Sequence, residues 1–182
     1  MLALSENPPM VLEGTPAFAE ISGDWWIAHT RARNEKALAW DLHEAKIPYF
    51  LPMVEHTTIS SGQKRRSLKP LFPSYLFFCG SETARYRALT TSRVCQVIAV
   101  RQKEKFIGEI EAVRRGVEGG SKLALYPFVA VGKRCRIARG ALRGIEGTVI
   151  STEDVAQIVL HVSMLGQGAV LQIGADFLEA ID

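Results

Sequence analysis

Pro70-Leu71-Phe72-Pro73-Ser74-Tyr75-Leu76-Phe77, continuing through Phe78 and Cys79, is the densest aromatic stretch of the chain. Aromatic residues favour a pleated, half-buried surface, so Leu71 to Cys79 is expected to be a strand. Alternate strand residues point to opposite faces. The run therefore cannot all face one core, and Phe72 and Tyr75 are expected to have different surroundings. Working upstream, His56 to Lys69 is polar, with Ser60, Ser61 and Gly62 at its middle, and reads as a projecting hairpin. Tyr49 to Glu55 is extended. Before Pro48, which stops a helix, Asn34 to Lys46 reads as helical, with Asn34 at the cap position and Leu38 and Leu42 stacked on one face. Trp25 to Arg31 is a bulky apolar run ending in cations, a buried strand. Met1 to about Gly23 carries Pro8, Pro9 and Pro16 without periodicity and is expected to be a loose, flexible leader, 1–23.

Downstream, Ser81 to Thr90 suits a short helix and Val94 to Val100 a strand. In Lys103 to Glu118 the residues Phe106, Ile107, Ile110, Val113 and Val117 recur at helical spacing, and Gly119-Gly120 ends the helix. The order strand, helix, strand, strand, helix, strand, helix describes an α+β domain over 24–118, an antiparallel sheet flanked by helices. Beyond a linker at 119–127 the pattern turns all-β. Val131, Cys135 and Ile137 fall on one alternating face with cations on the other, strands are expected at Gly147 to Ile150, Gln157 to Val162 and Ala169 to Ile173, and Gly166 with Gly168 marks the last turn. About fifty residues of this kind suit a small barrel over 128–182, which leaves no open sheet edge.

Composition narrows the class. The 182 residues are 47% hydrophobic and 23% charged, ordinary for a globular chain, so disorder is a poor reading of its body. The start has no secretory pattern and no stretch is apolar enough to span a membrane, so a cytoplasmic protein is expected; a monomer is expected as well. Cys79, Cys95 and Cys135 are odd in number and without Cys-x-x-Cys spacing, which argues against a disulfide framework or a structural zinc site and suggests small buried hydrophobes. A net charge of +3 does not by itself announce a nucleic-acid binder. Cations cluster locally instead, as Lys64, Arg65, Arg66 and Lys69 in the arm and as Lys133, Arg134, Arg136, Arg139 and Arg143 beyond the linker, with no acid inside either group.

Gly132-Lys133-Arg134-Cys135-Arg136-Ile137-Ala138-Arg139-Gly140, with Gly144, Gly147, Thr148 and Val149, resembles a KOW motif. A strand runs into a turn at Gly140, where positive φ is cheap only for glycine, and a second turn at Gly144 returns the chain into the next strand. KOW barrels occur in ribosomal proteins, elongation factors and other RNA-associated proteins. Trp25-Trp26, the helix after Arg31, Pro52-Met53 and the Phe-Pro-x-Tyr strand narrow the choice: together, and in this order, they resemble the NusG/RfaH family over roughly Asp24 to Asp182. The resemblance implies an NGN domain followed by an SH3-like KOW barrel. It implies docking on the clamp helices of the largest bacterial RNA polymerase subunit through Trp25, Phe50, Phe72, Tyr75 and Phe77.

Arg31, Arg33, Ser92 and Arg93 correspond to family contacts with the displaced non-template DNA strand, and Lys64, Arg65 and Arg66 form a basic arm suited to nucleic acid or an acidic polymerase surface. Met164 and Leu165 match the apolar loop offered to a ribosomal protein or to the termination factor Rho. Ser74, where housekeeping members have glycine, and Gly166 to Ile173, which lacks the housekeeping strand pattern, lean towards the specialised RfaH-like branch. Arg85-Tyr86-Arg87-Ala88 stands where RfaH carries a His-Thr-Thr-Thr patch, so a second polymerase contact is not carried over. The function implied is transcription elongation and antitermination, with less pausing or termination and no cofactor. The alternative is a KOW-type RNA-binding or ribosome-associated protein. No Gly-x-Ser-x-Gly elbow, His-Glu-x-x-His pair or phosphate loop occurs, and His29, His43, His56 and His161 are scattered, so an enzyme is not expected.

Overall fold

The computed structural model describes residues 6–60, 63–126, 132–151 and 155–181. Contacts divide the chain into two compact units, Met1–Lys103 and Glu104–Asp182. In the first unit, β1 (Asp24–Thr30), α1 (Glu35–Glu44), β2 (Tyr49–Phe50), β3 (Met53–Ser60), β4 (Gln63–Pro70), β5 (Tyr75–Gly80), α2 (Glu82–Thr90) and β6 (Val94–Ala99) follow in order. Four strands form an antiparallel sheet in the order β2-β5-β1-β6. The register pairs Trp26 with Phe78 and Ile27 with Phe77. Period-two alternation then sorts the apolar residues. Trp26, Ala28, Leu76 and Phe78 join Leu38, Ala39 and Leu42 of α1 and Ala84 and Ala88 of α2 in one core. The helices thus bury one sheet face, the α+β arrangement expected.

Two local readings change. Asn34 holds the cap position, but its side-chain amide donates back to the Ala32 carbonyl (3.1 Å) and caps no helical N–H. The aromatic strand begins at Tyr75, four residues later than expected. Leu71 to Ser74 forms a turn in which Ser74 takes φ of 66°, and Tyr75 N–H donates to Phe72 O (3.2 Å).

The leader is also different from the loose segment expected. From Glu6 onward it lies along the sheet edge: Val11 bridges Phe50, Leu51 N–H donates to Met10 O (2.7 Å) and Tyr49 Oη–H to Pro9 O (2.8 Å). Phe18 is fully buried, with its ring 5.2 Å from that of Trp25 and 5.1 Å from that of Phe50. The arm is a two-stranded ribbon, β3 paired with β4 from Met53↔Pro70 to Ser60↔Gln63. Its expected turn at Ser61 and Gly62 lies outside the described residues.

In the second unit, α3 (Lys103–Glu118) has the limits expected, with Phe106, Ile107, Ile110 and Val113 buried. After it come β7 (Ala124–Tyr126), β8 (Lys133–Ile137), β9 (Glu146–Ser151), β10 (Val155–Val162), β11 (Gln167–Gly174) and β12 (Leu178–Ala180). Among the described residues they make a six-stranded antiparallel sheet in the order β12-β8-β9-β10-β11-β7. This is the β-rich C-terminal region expected. Gly140 and Gly144 do take positive φ, 80° and 87°.

The stretch expected as a linker, 119–127, includes β7, whose Leu125 pairs with Ala169 of β11, and its last residue lies outside the described residues. By its contacts, nearly all of α3 groups with the β-rich strands that follow it. Gly116 explains why. A Cβ there would lie 3.2 Å from Leu123 and 3.6 Å from Leu160, so its absence lets both leucines reach the helix. Arg115 Nη2 donates to Arg143 O (2.7 Å), and Glu109 accepts from Ser163 N–H (2.9 Å).

Of the cysteines expected to be buried, Cys79 and Cys135 are, and Cys95 is exposed. Burial pushes both buried thiols above their ordinary pKa, which lowers the reactive thiolate fraction as well as access. Titration of the native chain with an aromatic disulfide reagent should consume one thiol quickly, and denaturant should release two more. A second thiol reacting at the rate of the first would contradict this placement.

Candidate functional site

Strand register gathers the aromatic residues singled out above. Trp25, Ile27 and His29 of β1 lie opposite Cys79, Phe77 and Tyr75 of β5, and Phe50 of β2 lies opposite Phe77. All therefore share the sheet face turned away from α1 and α2. Phe72, in the preceding turn, packs its ring 6.1 Å from Phe77 at 67°. Trp25, Phe50, Phe72 and Phe77 are at most 1% exposed, whereas Tyr75 is half-buried. The difference expected between Phe72 and Tyr75 thus resolves into a buried residue and a presented one. Tyr75 stacks on His29 at 5.1 Å with 24° between the rings. Sequence reading passed over His29 as a scattered histidine; its two-residue spacing from Ile27 and Trp25 was the available signal.

The Tyr75 end of the sheet is also where the candidate nucleic-acid residues converge. Thr30 N–H donates to Ser74 O and Arg31 N–H to Arg93 O, each at 2.8 Å. Arg33, Ser74 and Ser92 all adopt left-handed backbone, with φ of 63°, 66° and 61°. Such conformations cost non-glycine residues roughly 1–3 kcal/mol each and persist only where surroundings impose them. Here the surroundings are visible. Glu35, 7% exposed at the start of α1, accepts the Ser74 N–H at 2.7 Å. Thr91 Oγ1 accepts the Arg93 N–H (3.2 Å) while donating to Ala88 O (2.7 Å). Arg93 Nε donates to Asp41 Oδ2 of α1. Arg31 and Arg33 are exposed.

Lys64, Arg65 and Arg66 are exposed on β4, along the ribbon rather than at this loop cluster. Arg66 approaches Glu55 at 3.3 Å, with both side chains at least half exposed, a pair of little energetic weight. Arg85, in the patch that departs from RfaH, lies on α2 with its guanidinium 5.5 Å from the Trp26 ring centre and 3.1 Å from Glu82.

In the second unit two of the five cations clustered in sequence meet acids across strands. Arg134 and Arg136 both bond Glu146, at 2.9 and 2.8 Å, and Arg136 lies 3.6 Å from Glu179. The bond from Arg136 is the largest influence holding the Glu146 carboxyl below its ordinary pKa. This face is therefore less basic than the sequence suggests. Met164 is 37% exposed and Leu165 half-buried in a 3-10 turn, Ser163–Leu165. Glu109 holds that turn through the Ser163 N–H and hydroxyl, the latter at 2.5 Å. Among the described residues no group of three His, Cys, Asp or Glu side chains is placed to hold a metal, and no helix is long and apolar enough to cross a membrane.

Comparison with known proteins adds a family to this geometry. Curated proteins give no match. Among solved structures, one chain of the crystal structure of the MjSpt4:Spt5 complex, conformation B, is similar at 12% identity. The match covers 87% of this chain and 97% of that one, with a TM-score of 0.28. The NusG family profile, described as transcription termination factor nusG, matches residues 23–121. That span is more than half of the chain and includes β1, the aromatic strand β5 and both arginine loops: the protein belongs to the NusG family.

Proposed function

We propose that the protein is a transcription elongation and antitermination factor of the specialised, RfaH-like kind, acting by binding and not by catalysis. Its first unit docks on the clamp helices of the largest bacterial RNA polymerase subunit. Tyr75, with His29, makes the contact, and Trp25, Phe50, Phe72 and Phe77 are the packed floor that holds it in place. Arg31, Arg33, Ser92 and Arg93, helped by Lys64, Arg65 and Arg66, meet the displaced non-template DNA strand. Cations beside a single strand gain affinity from its phosphates, and a half-exposed aromatic pair offers a stacking surface. Docked in this way the factor favours forward elongation over pausing or termination. The turn carrying Met164 and Leu165 offers a ribosomal protein or Rho an apolar contact. The protein needs no cofactor and works as a cytoplasmic monomer.

The observation that carries this reading is a coincidence of place within a NusG-family chain. The register puts Trp25, Phe50, Tyr75 and Phe77 on one sheet face with Phe72 packed against them, and the member of the five that reaches solvent stands at the end where both arginine loops close.

Pull-down of purified bacterial polymerase core by the full chain tests it. The full chain should bind, and Tyr75→Ala, cutting a half-exposed side chain, should stay folded and lose affinity about tenfold or more, as removal of an aromatic interface residue typically does. Equal binding by the folded variant would move the docking face elsewhere. A full chain that ignores polymerase and binds structured RNA tightly would establish the KOW-type alternative.

A further inference from the structure

The three arginines at the Tyr75 end of the sheet are not equivalent. Arg31 and Arg33 are exposed, and among the described residues neither side chain forms an ion pair. Arg93 is held. Its Nε donates to Asp41 Oδ2, and the two side chains are 37% and 30% exposed, so most of the pair's surface is withdrawn from water. The backbone around it is fixed as well. Arg93 O accepts from Arg31 N–H at 2.8 Å, Arg93 N–H donates to Thr91 Oγ1 at 3.2 Å, and Ser92 is turned left-handed to bring Arg93 round to α1. Asp41 is itself placed by α1, whose Leu38, Ala39 and Leu42 are locked in the core.

A guanidinium carries five N–H donors in a planar fork. The contact with Asp41 engages Nε and leaves the terminal nitrogens as the donors available to a ligand. It also compensates the charge. A free arginine beside a nucleic-acid strand acts first as a cation and displaces a condensed counterion. An arginine already paired with a carboxylate has lost that role and keeps its directional donors.

We infer that Asp41 is a positioning residue for Arg93: it fixes the guanidinium so that Arg93 meets single-stranded DNA as an oriented, charge-compensated hydrogen-bond donor and not as a counterion-displacing cation. This rests on the proposed nucleic-acid role of the arginine loops. Within that role it divides the labour, with Arg31 and Arg33 supplying the salt-dependent attraction and Arg93 the salt-independent contact.

The salt dependence of binding separates these roles. Affinity of the full chain for a mixed-sequence single-stranded oligonucleotide, followed by fluorescence anisotropy over a range of salt, has a slope of about 0.7 for each phosphate neutralised. Arg31→Ala should flatten the slope by about that amount. Arg93→Ala, with Asp41 intact, should weaken binding several-fold at every salt concentration and leave the slope unchanged. Asp41→Asn, which keeps the shape and removes the charge, should steepen the slope by about 0.7, and the steepening should vanish in the Asp41→Asn/Arg93→Ala double variant.

An Arg93→Ala variant whose slope falls as much as that of Arg31→Ala would overturn the inference while leaving the nucleic-acid role standing. So would an Asp41→Asn variant, folded by circular dichroism, with the parent's slope. A full chain with no measurable affinity even at low salt would overturn both.

Discussion

Phe18→Ala should lower the stability of the first unit by about 3–5 kcal/mol, the usual cost of emptying a buried phenylalanine site. Phe18 has no exposed surface, and its ring sits against Trp25 and Phe50 on the face of the sheet that α1 and α2 leave uncovered. A neighbouring change gives the contrast: Glu20→Ala removes an exposed side chain two residues away and should cost less than about 0.5 kcal/mol. Denaturant titration of the full chain measures both. If Phe18→Ala shifts the transition no more than Glu20→Ala does, the segment is the loose leader that its prolines suggest. A large shift makes it part of the unit, with Val11 and Met10 extending the sheet edge at β2. Beyond stability, the same variant should leave Tyr75 and His29 stacked at the far end of the face.

The leader shows why some of this fold was unreadable in the sequence. Sequence patterns report repetition, and 6–23 has none. What holds it includes one bridge, several hydrogen bonds, the buried ring of Phe18 and the packing of Met10 and Leu12 against the core, none of which recurs at a fixed spacing. Where a face repeats, reading succeeds. The 3.6-residue recurrence of Phe106, Ile110, Val113 and Val117 gave α3 its limits, and the alternation of Cys135 and Ile137 with cations gave β8. Short strands fail for the opposite reason. β7 and β12 are three residues each, too brief to show a period, and they are strands only because β11 and β8 pair with them.

The candidate site divides along similar lines. Which aromatics share a face follows from counting in twos once the strand is placed. Which of them reaches solvent does not follow, because exposure is set by residues distant in sequence, as Phe18 is from Phe50. The same holds for charge: Arg93 looks like a free cation until α1 brings Asp41 to it from 52 positions away, and Glu146 reaches Arg134 and Arg136 only across the β8–β9 pairing.

Gly168→Ala should destabilise the second unit by about 3 kcal/mol, the upper end of what forcing extra volume into a packed interior costs, while Gly166→Ala should cost only about 1 kcal/mol. From the sequence these two glycines read as one turn, yet they serve different physical needs. Gly166 ends the turn after Leu165 in the left-handed region, φ 62°, with open space where a side chain would go. An alanine there meets no atom and suffers only its own backbone preference.

Gly168 is in β11, past the turn and buried, opposite His161 of β10 and Tyr126 of β7. A Cβ on it would fall 2.5 Å from Val159 Cγ1 and 2.7 Å from the Leu160 carbonyl oxygen. The oxygen is backbone inside a ladder that runs unbroken from Val155↔Gly174 to Val162↔Gln167, so it moves only if the pairing moves with it. Hydrogen exchange on the full chain should therefore show lost protection along β10 and β11 for Gly168→Ala and little change for Gly166→Ala. If the two substitutions cost the same, or Gly166→Ala costs more, close strand approach is not what requires glycine at 168, and the register of β10 against β11 described above is wrong.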